Sequence, residues 1–324
     1  MKKKEISNTG LHVTPVCVGT SSLGNISESK GNKVSERREI ETVLEVFNGP
    51  INFMDTSNNY GSGNSEKRIG SAISEFGGLP DEFVLATKVD RDMETDRFDA
   101  DRVRQSLEES LKKLGLDSID LLHFHDPEHA RDITEITCDG GALDELFKIK
   151  EEGLVKAVGL AMGRLDIMFP LLKDYRFDAL ISHNRYSLLN RSANAMFNYA
   201  YEHGISILNA APFAGGVLAK GADQMPRITY QDATEEMLLP VRKIQKLCSE
   251  WGKDTGAIAL QFSVNDPRIT STLVGVSQIN TLNKTLLWLQ TEVPNGLNDL
   301  LKDIPFDVTD PEKIEFLKLF EALV

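Results

Sequence analysis

The sequence predicts an α/β fold, a (β/α)₈ or TIM barrel with an N-terminal β-hairpin. Near-continuous apolar strands alternate with amphipathic helices along the 324 residues, a pattern typical of a parallel sheet that is covered on both faces or closed into a barrel. Eight such strands fit a barrel. Polar side chains stand where neighbouring strands end, and a barrel gathers those ends on one rim more readily than a doubly wound sheet does.

The first elements are a hairpin and a strand. Residues 5–13, EISNTGLHV, predict a hairpin that turns at Asn8, Thr9 and Gly10, and residues 11–19 form the first predicted strand. The other predicted strands, taken in order, are 51–54, 83–89, 118–124, 155–160, 179–182, 205–209 and 270–275.

Helices are predicted between these strands from their spacing of apolar residues. After the second strand, glycines mark a turn and Ser65 is expected to cap a helix. The next helix begins at about Asp101 and stops at Gly115, and a later helix stops at Gly153. The longest irregular stretches are 221–235, long enough to be a lid or a substrate loop, and the tail from 295.

Composition limits the domain organisation and the class of partner. With 41% hydrophobic residues and no linker or low-complexity tract, we expect one domain over 1–324, its tail from about 295 packing on it or forming a substrate loop. The net charge of −13 disfavours nucleic-acid and membrane surfaces, and no apolar run is long enough to span a bilayer. The scattered Cys17, Cys138 and Cys248 predict neither a disulfide framework nor a zinc site. We expect a cytoplasmic protein with small-molecule partners.

The candidate catalytic residues are Asp55, Tyr60, Lys88 and His125, which lie at or just after successive strand ends. A lysine inside an apolar strand needs an acid to offset its desolvation, and Asp55 on the adjacent strand is within plausible reach. A nearby ammonium favours phenolate, so we expect Lys88 to pull the pKa of Tyr60 down from about 10 and to make the phenol a proton donor and acceptor. His125 can orient or polarise a carbonyl oxygen.

Metal and phosphate motifs give weaker alternatives. His123 and His125, with His129 nearby, have the spacing by which some barrel hydrolases hold a metal, but His183 is the only later candidate ligand. A metal-dependent hydrolase is therefore the less favoured reading, and we expect no metal. GSGNSE lacks the third glycine of a dinucleotide fingerprint, and GTSSLGN lacks the Gly-Lys-Ser or Gly-Lys-Thr of a P-loop.

The segments that carry the candidate residues, FMDTSNNYGSGNSEKRIG, LATKV and SIDLLHFHDPE, resemble the aldo-keto reductase superfamily, and the similarity runs from the hairpin to about Lys284. HDPE and NRYSLLNRSA resemble its galactose- and fucose-type aldose dehydrogenase branch. The resemblance implies a tyrosine acid or base tuned by lysine and aspartate, a histidine that orients the substrate, and NAD or NADP bound along the strand ends without metal.

The implied reaction is hydride transfer between nicotinamide and a sugar-like substrate, as aldose oxidation to the lactone or the reverse carbonyl reduction. The alternative is a nucleotide-binding regulatory subunit on the same barrel, and retention of all the candidate catalytic residues argues against it. In 211–221, APFAGGVLAKG resembles the loop that wraps the pyrophosphate, and in 275–285, GVSQINTLNKT resembles the adenosine end. The implied cofactor contacts are Thr20, His183, Pro212, Phe213, Gly215, Leu218, Gly275, Ser277, Gln278 and Thr281.

The chain departs from the superfamily pattern at both ends of the cofactor. Ala210 stands where many members have a stacking tyrosine, so Phe213 is expected to pack against the nicotinamide. The usual carboxamide readers are replaced by Ala161, Met162 and His183. Ser277 stands where an arginine often meets the 2′-phosphate, and no arginine or lysine occurs between 268 and 284. We therefore expect use of both cofactors with a preference for NAD.

Overall fold

The computed structural model describes residues 1–24, 36–229, 231–293, 301 and 304–311, and the statements below concern these. Its strands are β1 (Lys4–Glu5), β2 (His12–Val13), β3 (Val16–Gly19), β4 (Phe53–Asp55), β5 (Val84–Val89), β6 (Ile119–His125), β7 (Val155–Met162), β8 (Ala179–His183), β9 (Ser206–Ala210), β10 (Arg227–Ile228), β11 (Gln231–Asp232) and β12 (Ile269–Gly275). β1 and β2 pair antiparallel, which confirms the predicted hairpin.

The helices lie between the strands, as their periodicity predicts. They are α1 (Glu36–Asn48), α2 (Asn64–Phe76), α3 (Ala100–Leu114), α4 (Thr134–Thr137), α5 (Ala142–Glu151), α6 (Leu165–Asp174), α7 (Asn194–Glu202), α8 (Val217–Lys220), α9 (Glu235–Glu250), α10 (Thr255–Val264) and α11 (Ile279–Leu289). None of the helices within the described residues is long and apolar enough to cross a membrane.

Eight strands close into a parallel barrel in the order β12, β3, β4, β5, β6, β7, β8, β9. The predicted (β/α)₈ barrel is therefore confirmed, and each predicted strand forms one strand of the barrel wall. The interior is filled by alternate side chains such as Phe53, Leu121 and Leu208. Ile6 and Leu11 of the hairpin belong to the same buried cluster, so the hairpin covers the amino-terminal end of the barrel and leaves the opposite rim for a site.

The helix α3 illustrates how local sequence sets an element. Asp99 caps its start by accepting a hydrogen bond from the backbone N–H of Arg102, and Gly115 ends it in a left-handed conformation with φ of 70°. Val103 and Leu107 lie on one face of the helix and are buried against the barrel core. The predicted stop at Gly115 is therefore correct.

Two local predictions need correction. Ser65 does not cap α2, because the chain turns earlier at Gly63, whose φ is 82°, and Ser65 is already inside the helix. Its buried hydroxyl contacts Thr20 instead. The stretch 221–235 is not wholly irregular, because β10 and β11 form a two-stranded hairpin in it. The N–H of Thr229 in this hairpin donates to the carbonyl of Ala214, which holds the hairpin against the loop after β9.

Part of the predicted tail packs on the barrel, whereas 294–300, 302–303 and 312–324 lie outside the described residues. Leu301 and Ile304 are buried with residues of α8, α9 and α10. Asp307 pairs with Asn190 in an isolated bridge, and the carboxylate of Asp310 lies 2.6 Å from the buried guanidinium of Arg185. The described part of the tail is thus fastened to the loop after β8.

Candidate active site

Strand register brings Asp55, Lys88 and His125 to one rim of the barrel. β4 pairs with β5, and β5 with β6, in parallel register, so the carboxyl ends of these strands lie side by side. Phe53, Ala86 and Leu121, each two or four positions earlier, fill the barrel interior. Because side chains alternate along a strand, the three polar residues point inward as well. The structure therefore brings together the groups that the sequence placed at successive strand ends.

Asp55 and Lys88 form a buried ion pair. The Nζ atom of Lys88 lies 2.6 Å from Oδ2 of Asp55, and it also donates to the carbonyl of Thr56 at 2.5 Å. Burial disfavours the charged lysine, but Asp55 and Tyr60 outweigh that effect, and the pKa of Lys88 lies above its ordinary value. The ammonium is therefore retained at neutral pH.

Tyr60 lies over this ammonium. The Nζ atom of Lys88 is 4.4 Å from the centroid of the phenol ring, so the ammonium lies in contact with the face of the ring. The ring also meets His125 edge-on, with centroids 5.8 Å apart and planes at 81°. The phenol and the imidazole thus share one corner of the rim, where one substrate oxygen can contact both.

The expected sign of the Tyr60 pKa shift is wrong. Lys88 does favour the phenolate, but burial of the phenol disfavours it more strongly, and Asp55 and Asp126 add to that effect. The pKa of Tyr60 therefore lies above its ordinary value. The sequence indicates the cation beside the phenol but not how far the phenol is desolvated. The effect of Lys88 on the pKa could therefore be predicted from it, and the larger effect of burial could not.

His125 is held by an aspartate that the sequence reasoning missed. Its Nδ1 atom lies 2.6 Å from Oδ1 of Asp90, a buried residue directly after β5. Oδ2 of Asp90 accepts hydrogen bonds from the hydroxyl of Ser57 and from the N–H of Asn59. Asp126 lies on the other side of the ring, with Oδ2 3.5 Å from Nε2. A polar residue two positions after Lys88, at the strand end, was the available signal.

His123 also points into the barrel but takes no part in this arrangement. It is fully buried, and neither ring nitrogen has a hydrogen-bond partner among the described residues. Burial and the charge of Lys88 hold its pKa well below the ordinary value, so the ring is neutral. Within the described part of the chain, no group of three or more histidine, cysteine or acidic side chains is placed to hold a metal ion.

The loop that carries Tyr60 is fastened to α3. The side-chain amide of Asn58 donates to the carbonyl of Ser106 at 3.0 Å, and the ammonium of Lys113 donates to the carbonyl of Asn58 at 3.0 Å. Gly61, with φ of 58°, passes so close to Gly24 that an added Cβ would lie 2.6 Å from its Cα. These contacts leave the loop little freedom and so position the phenol.

The residues predicted to hold the pyrophosphate lie after β9. Gly215 has φ of 76°, and a Cβ there would lie 2.1 Å from the carbonyl oxygen of Thr229, so only glycine fits the turn. Pro212 and Leu218 are buried and give the loop its packing. The ring of Phe213 lies edge-on to Trp288, with centroids 5.3 Å apart, so this ring is used in packing against α11.

The predicted adenosine end surrounds the start of α11. Gly275 is exposed, and a Cβ added there would meet nothing within 4 Å. Gln278 precedes the helix without a side-chain cap in the described structure, and no acidic residue occupies the first turn. The N–H groups at a helix start can donate to a phosphate or to the neutral 2′-hydroxyl of an adenosine ribose, so these residues are compatible with the adenosine end of a dinucleotide. Ser277 and Thr281 flank this start of the helix.

Thr20 and His183 complete the predicted cofactor contacts. Thr20 is fully buried, and its hydroxyl donates to the carbonyl of Asp55 at 2.9 Å. The Thr20 hydroxyl therefore stabilises the end of β4. His183 ends β8 on the inward face, and its carbonyl accepts a hydrogen bond from Arg185. The structure places it on the same rim as the candidate catalytic residues.

Comparison with known proteins agrees with this geometry. Residues 15–295 match the model of the Aldo/keto reductase family. The chain is 31% identical to L-galactose dehydrogenase from Arabidopsis thaliana, with 87% of this chain and 86% of that protein covered. It is 28% identical to D-threo-aldose 1-dehydrogenase from Pseudomonas sp, with 89% and 93% covered.

The fold also matches solved structures of this family. The aldo-keto reductase AKR11C1 from Bacillus halodurans superposes with a TM-score of 0.74 at 22% sequence identity, covering 97% of this chain and 99% of that chain. At this identity the likeness shows the fold alone. The family match over most of the chain and the 31% identical relative are evidence of family membership as well as of fold. Together they show that this chain belongs to the aldo/keto reductase family, whose oxidoreductases use NAD(P)H.

Proposed function

We propose that this protein is an NAD(P)-dependent oxidoreductase that oxidises an aldose to its lactone, or reduces the corresponding carbonyl, in one domain over residues 1–324. One observation carries the proposal: the Lys88 ammonium contacts both Asp55 and the Tyr60 phenol, and His125 meets the same phenol edge-on. Such a cluster at strand ends suits proton transfer to or from one oxygen atom.

Each side chain has a role that follows from its contacts. Tyr60 gives its proton to a carbonyl oxygen in reduction and takes one from a hydroxyl in oxidation. Lys88 stabilises the phenolate that forms on reduction, and Asp55 keeps the lysine charged. His125 donates a hydrogen bond to the reacting oxygen and fixes its position. The nicotinamide, when bound, supplies the hydride or accepts it.

A polyhydroxylated substrate is supported by Asp126. Its side chain is 29% exposed, beside Nε2 of His125, so its carboxylate can accept hydrogen bonds from hydroxyl groups next to the reacting carbon. The relatives named L-galactose dehydrogenase and D-threo-aldose 1-dehydrogenase point to the same class of substrate. A regulatory subunit that only binds nucleotide would not need the Asp55, Lys88 and Tyr60 cluster.

The test is a panel of aldoses and simple aldehydes assayed with NAD(H) and NADP(H), followed through the absorbance of the reduced nicotinamide. We expect turnover with at least one aldose. The Tyr60→Phe variant should lose about 10²–10⁴-fold in kcat, because the phenol moves a proton, while its cofactor Kd stays nearly unchanged.

Two outcomes would count against the proposal. A Tyr60→Phe variant that keeps most of its kcat would remove Tyr60 from the chemistry. A protein that binds the dinucleotide tightly but turns over neither aldoses nor aldehydes would favour the regulatory subunit.

A further inference from the structure

We infer that Asp90 is a positioning residue for the proposed reaction: it holds His125 with Nδ1 bound and Nε2 directed to the reacting oxygen as a hydrogen-bond donor. The inference rests on the proposed function for the role of that donor. The geometry of the aspartate and the imidazole stands independently of the substrate.

Asp90 is fixed at every polar atom. Oδ1 faces Nδ1 of His125 at 2.6 Å, and Oδ2 accepts from the Ser57 hydroxyl and from the N–H of Asn59 at 3.0 Å. Its own N–H donates to the hydroxyl of Ser106 at 3.0 Å, and its carbonyl accepts from Arg102 at 2.9 Å. The residue is 3% exposed. A carboxylate held in this way cannot follow a rotating imidazole, so it dictates the orientation of the ring.

The contact at Nδ1 decides which nitrogen serves the substrate. A carboxylate only accepts hydrogen bonds, so Nδ1 must carry a proton when it lies 2.6 Å from Asp90. Nε2 is then the nitrogen left for the reacting oxygen, as an acceptor when the ring is neutral and as a donor when it is charged. Reduction of a carbonyl needs a donor, so the protonated ring is the useful form.

The charged groups around His125 favour that form. Asp90 from the end of β5 and Asp126 from the end of β6 lie on opposite sides of the ring, and Asp55 adds a more distant negative charge. Lys88 opposes them, while Tyr60 and His123 are neutral at pH 7. Burial works against the imidazolium, yet the carboxylates prevail, and the pKa of His125 lies above its ordinary value.

The test follows the charge of His125 directly. In the full-length protein, imidazole ¹⁵N–¹H correlation spectra are recorded across the neutral pH range, with the His125 signals assigned from a His125→Gln variant. We expect a titration midpoint above the ordinary value of about 6.5 and a neutral form protonated at Nδ1. Asp90→Asn, which keeps the shape of the side chain and removes its charge, should lower that midpoint by about one unit or more.

Kinetics supply the second readout. The kcat for carbonyl reduction at neutral pH should fall about tenfold or more in Asp90→Asn, with its pH profile shifted to lower pH and a smaller change in KM. The matched control is Asp101→Asn, which removes the same charge from an exposed position in the first turn of α3 and should leave both readouts unchanged. Ser57→Ala removes a hydrogen bond of Asp90 and a long contact of 3.4 Å to Nδ1 of His125 but no charge, so it should leave the midpoint nearly in place.

The outcomes are decisive in each direction. A folded Asp90→Asn protein with an unshifted His125 midpoint would overturn the inference, as would a neutral wild-type ring protonated at Nε2. Equal shifts in Ser57→Ala and Asp90→Asn would also overturn it, because they would assign Asp90 only to loop structure. If Asp90→Asn does not fold, the Asp126→Asn variant is measured instead. An unlowered His125 midpoint in that variant would contradict the claim that the neighbouring carboxylates favour the charged imidazole. Failure of the proposed function looks different, since the midpoint would shift as expected in a protein that turns over no aldose.

Discussion

Burial and charge compete over the proton of Tyr60. Lys88 favours the phenolate, but desolvation leaves the pKa of the phenol above its ordinary value. Tyr60 is therefore an acid at neutral pH, ready for carbonyl reduction, and must lose its proton before it can act as a base in oxidation. As long as the pH is below this raised pKa, the phenolate fraction grows about tenfold per pH unit.

The first expectation at the residue scale is a pH dependence with a definite sign. The kcat/KM for alcohol oxidation should rise about tenfold per pH unit through the neutral range, whereas the contribution of Tyr60 to reduction should stay flat there. Initial rates in both directions, measured over a series of buffers at constant ionic strength, check this. An oxidation rate that levels off below the ordinary phenol pKa of about 10 would show that Lys88 prevails over burial.

Lys88→Met tests how much the lysine charge offsets the burial of the Tyr60 phenol. Without the ammonium, we expect the rate to fall about 10²-fold or more and the oxidation profile to move to higher pH, because nothing then offsets the burial of the phenol. Lys67→Met, at an exposed site on α2, is the control. The paired variant Asp55→Asn with Lys88→Met avoids leaving a lone buried carboxylate. A pH profile that does not move would mean that Lys88 does not tune Tyr60.

At the scale of an element, the start of α11 decides how the two cofactors are distinguished. Lys284 was the one cation on this helix that could have met a 2′-phosphate. Its ammonium lies 3.8 Å from Asp254 and 4.5 Å above the ring of Trp288, one turn towards the carboxyl end of the helix. It therefore points away from Ser277 and Gln278. A 2′-phosphate would lose its hydration for a hydroxyl, an amide and backbone donors, whereas the 2′-hydroxyl of NAD needs only neutral partners.

We accordingly propose use of both cofactors with a preference for NAD, and Ser277→Arg should shift the kcat/KM ratio towards NADP. Leu287→Arg adds the same charge at an exposed site near the other end of α11 and serves as the control. A wild type that prefers NADP by about 100-fold, roughly 2.7 kcal/mol, would contradict the preference. An unchanged ratio in Ser277→Arg would mean that this segment does not line the 2′ position.

At the scale of the whole molecule, the described part of the tail contacts the barrel through a buried ion pair, in addition to its apolar packing and backbone hydrogen bonds. Arg185 is fully buried in the loop after β8, and Asp310 lies 2.6 Å from its guanidinium. The second carboxylate oxygen of Asp310 accepts from the N–H of Leu165 at the start of α6. Residues more than 100 positions apart in the chain are thereby joined across two loops of the rim.

Asp310→Ala should therefore destabilise the protein. The substitution removes a carboxylate that lies 2.6 Å from the buried guanidinium and that accepts from the N–H of Leu165. Hydrogen bonds to charged groups contribute about 1.5–3 kcal/mol, so we expect a loss of unfolding free energy of about that size. Urea unfolding followed by circular dichroism measures it. Asp223→Ala breaks the exposed pair with Arg242 and should cost no more than about 1 kcal/mol. Equal effects of the two variants would show that the tail contact contributes little.

The sequence by itself predicted the barrel, its eight strands and the group of Asp55, Tyr60, Lys88 and His125. Apolar periodicity and turn residues are local signals that locate each strand and its end. Because the carboxyl ends of parallel strands lie on one rim of a barrel, these local signals also predict which side chains share a site. That is why strand ends far apart in the chain could be assigned to one cluster before any distance was known.

Tertiary structure alone decided what those side chains do to one another. Asp90 holding His125, Ser65 contacting Thr20 rather than capping α2, the direction of Lys284 and the raised pKa of Tyr60 all depend on distances and burial between separate elements. The spacing of residues along the chain gives neither the distances between elements nor the burial of their side chains. A pKa is a balance between desolvation and nearby charge, so its sign is known only once the packing around the group is known.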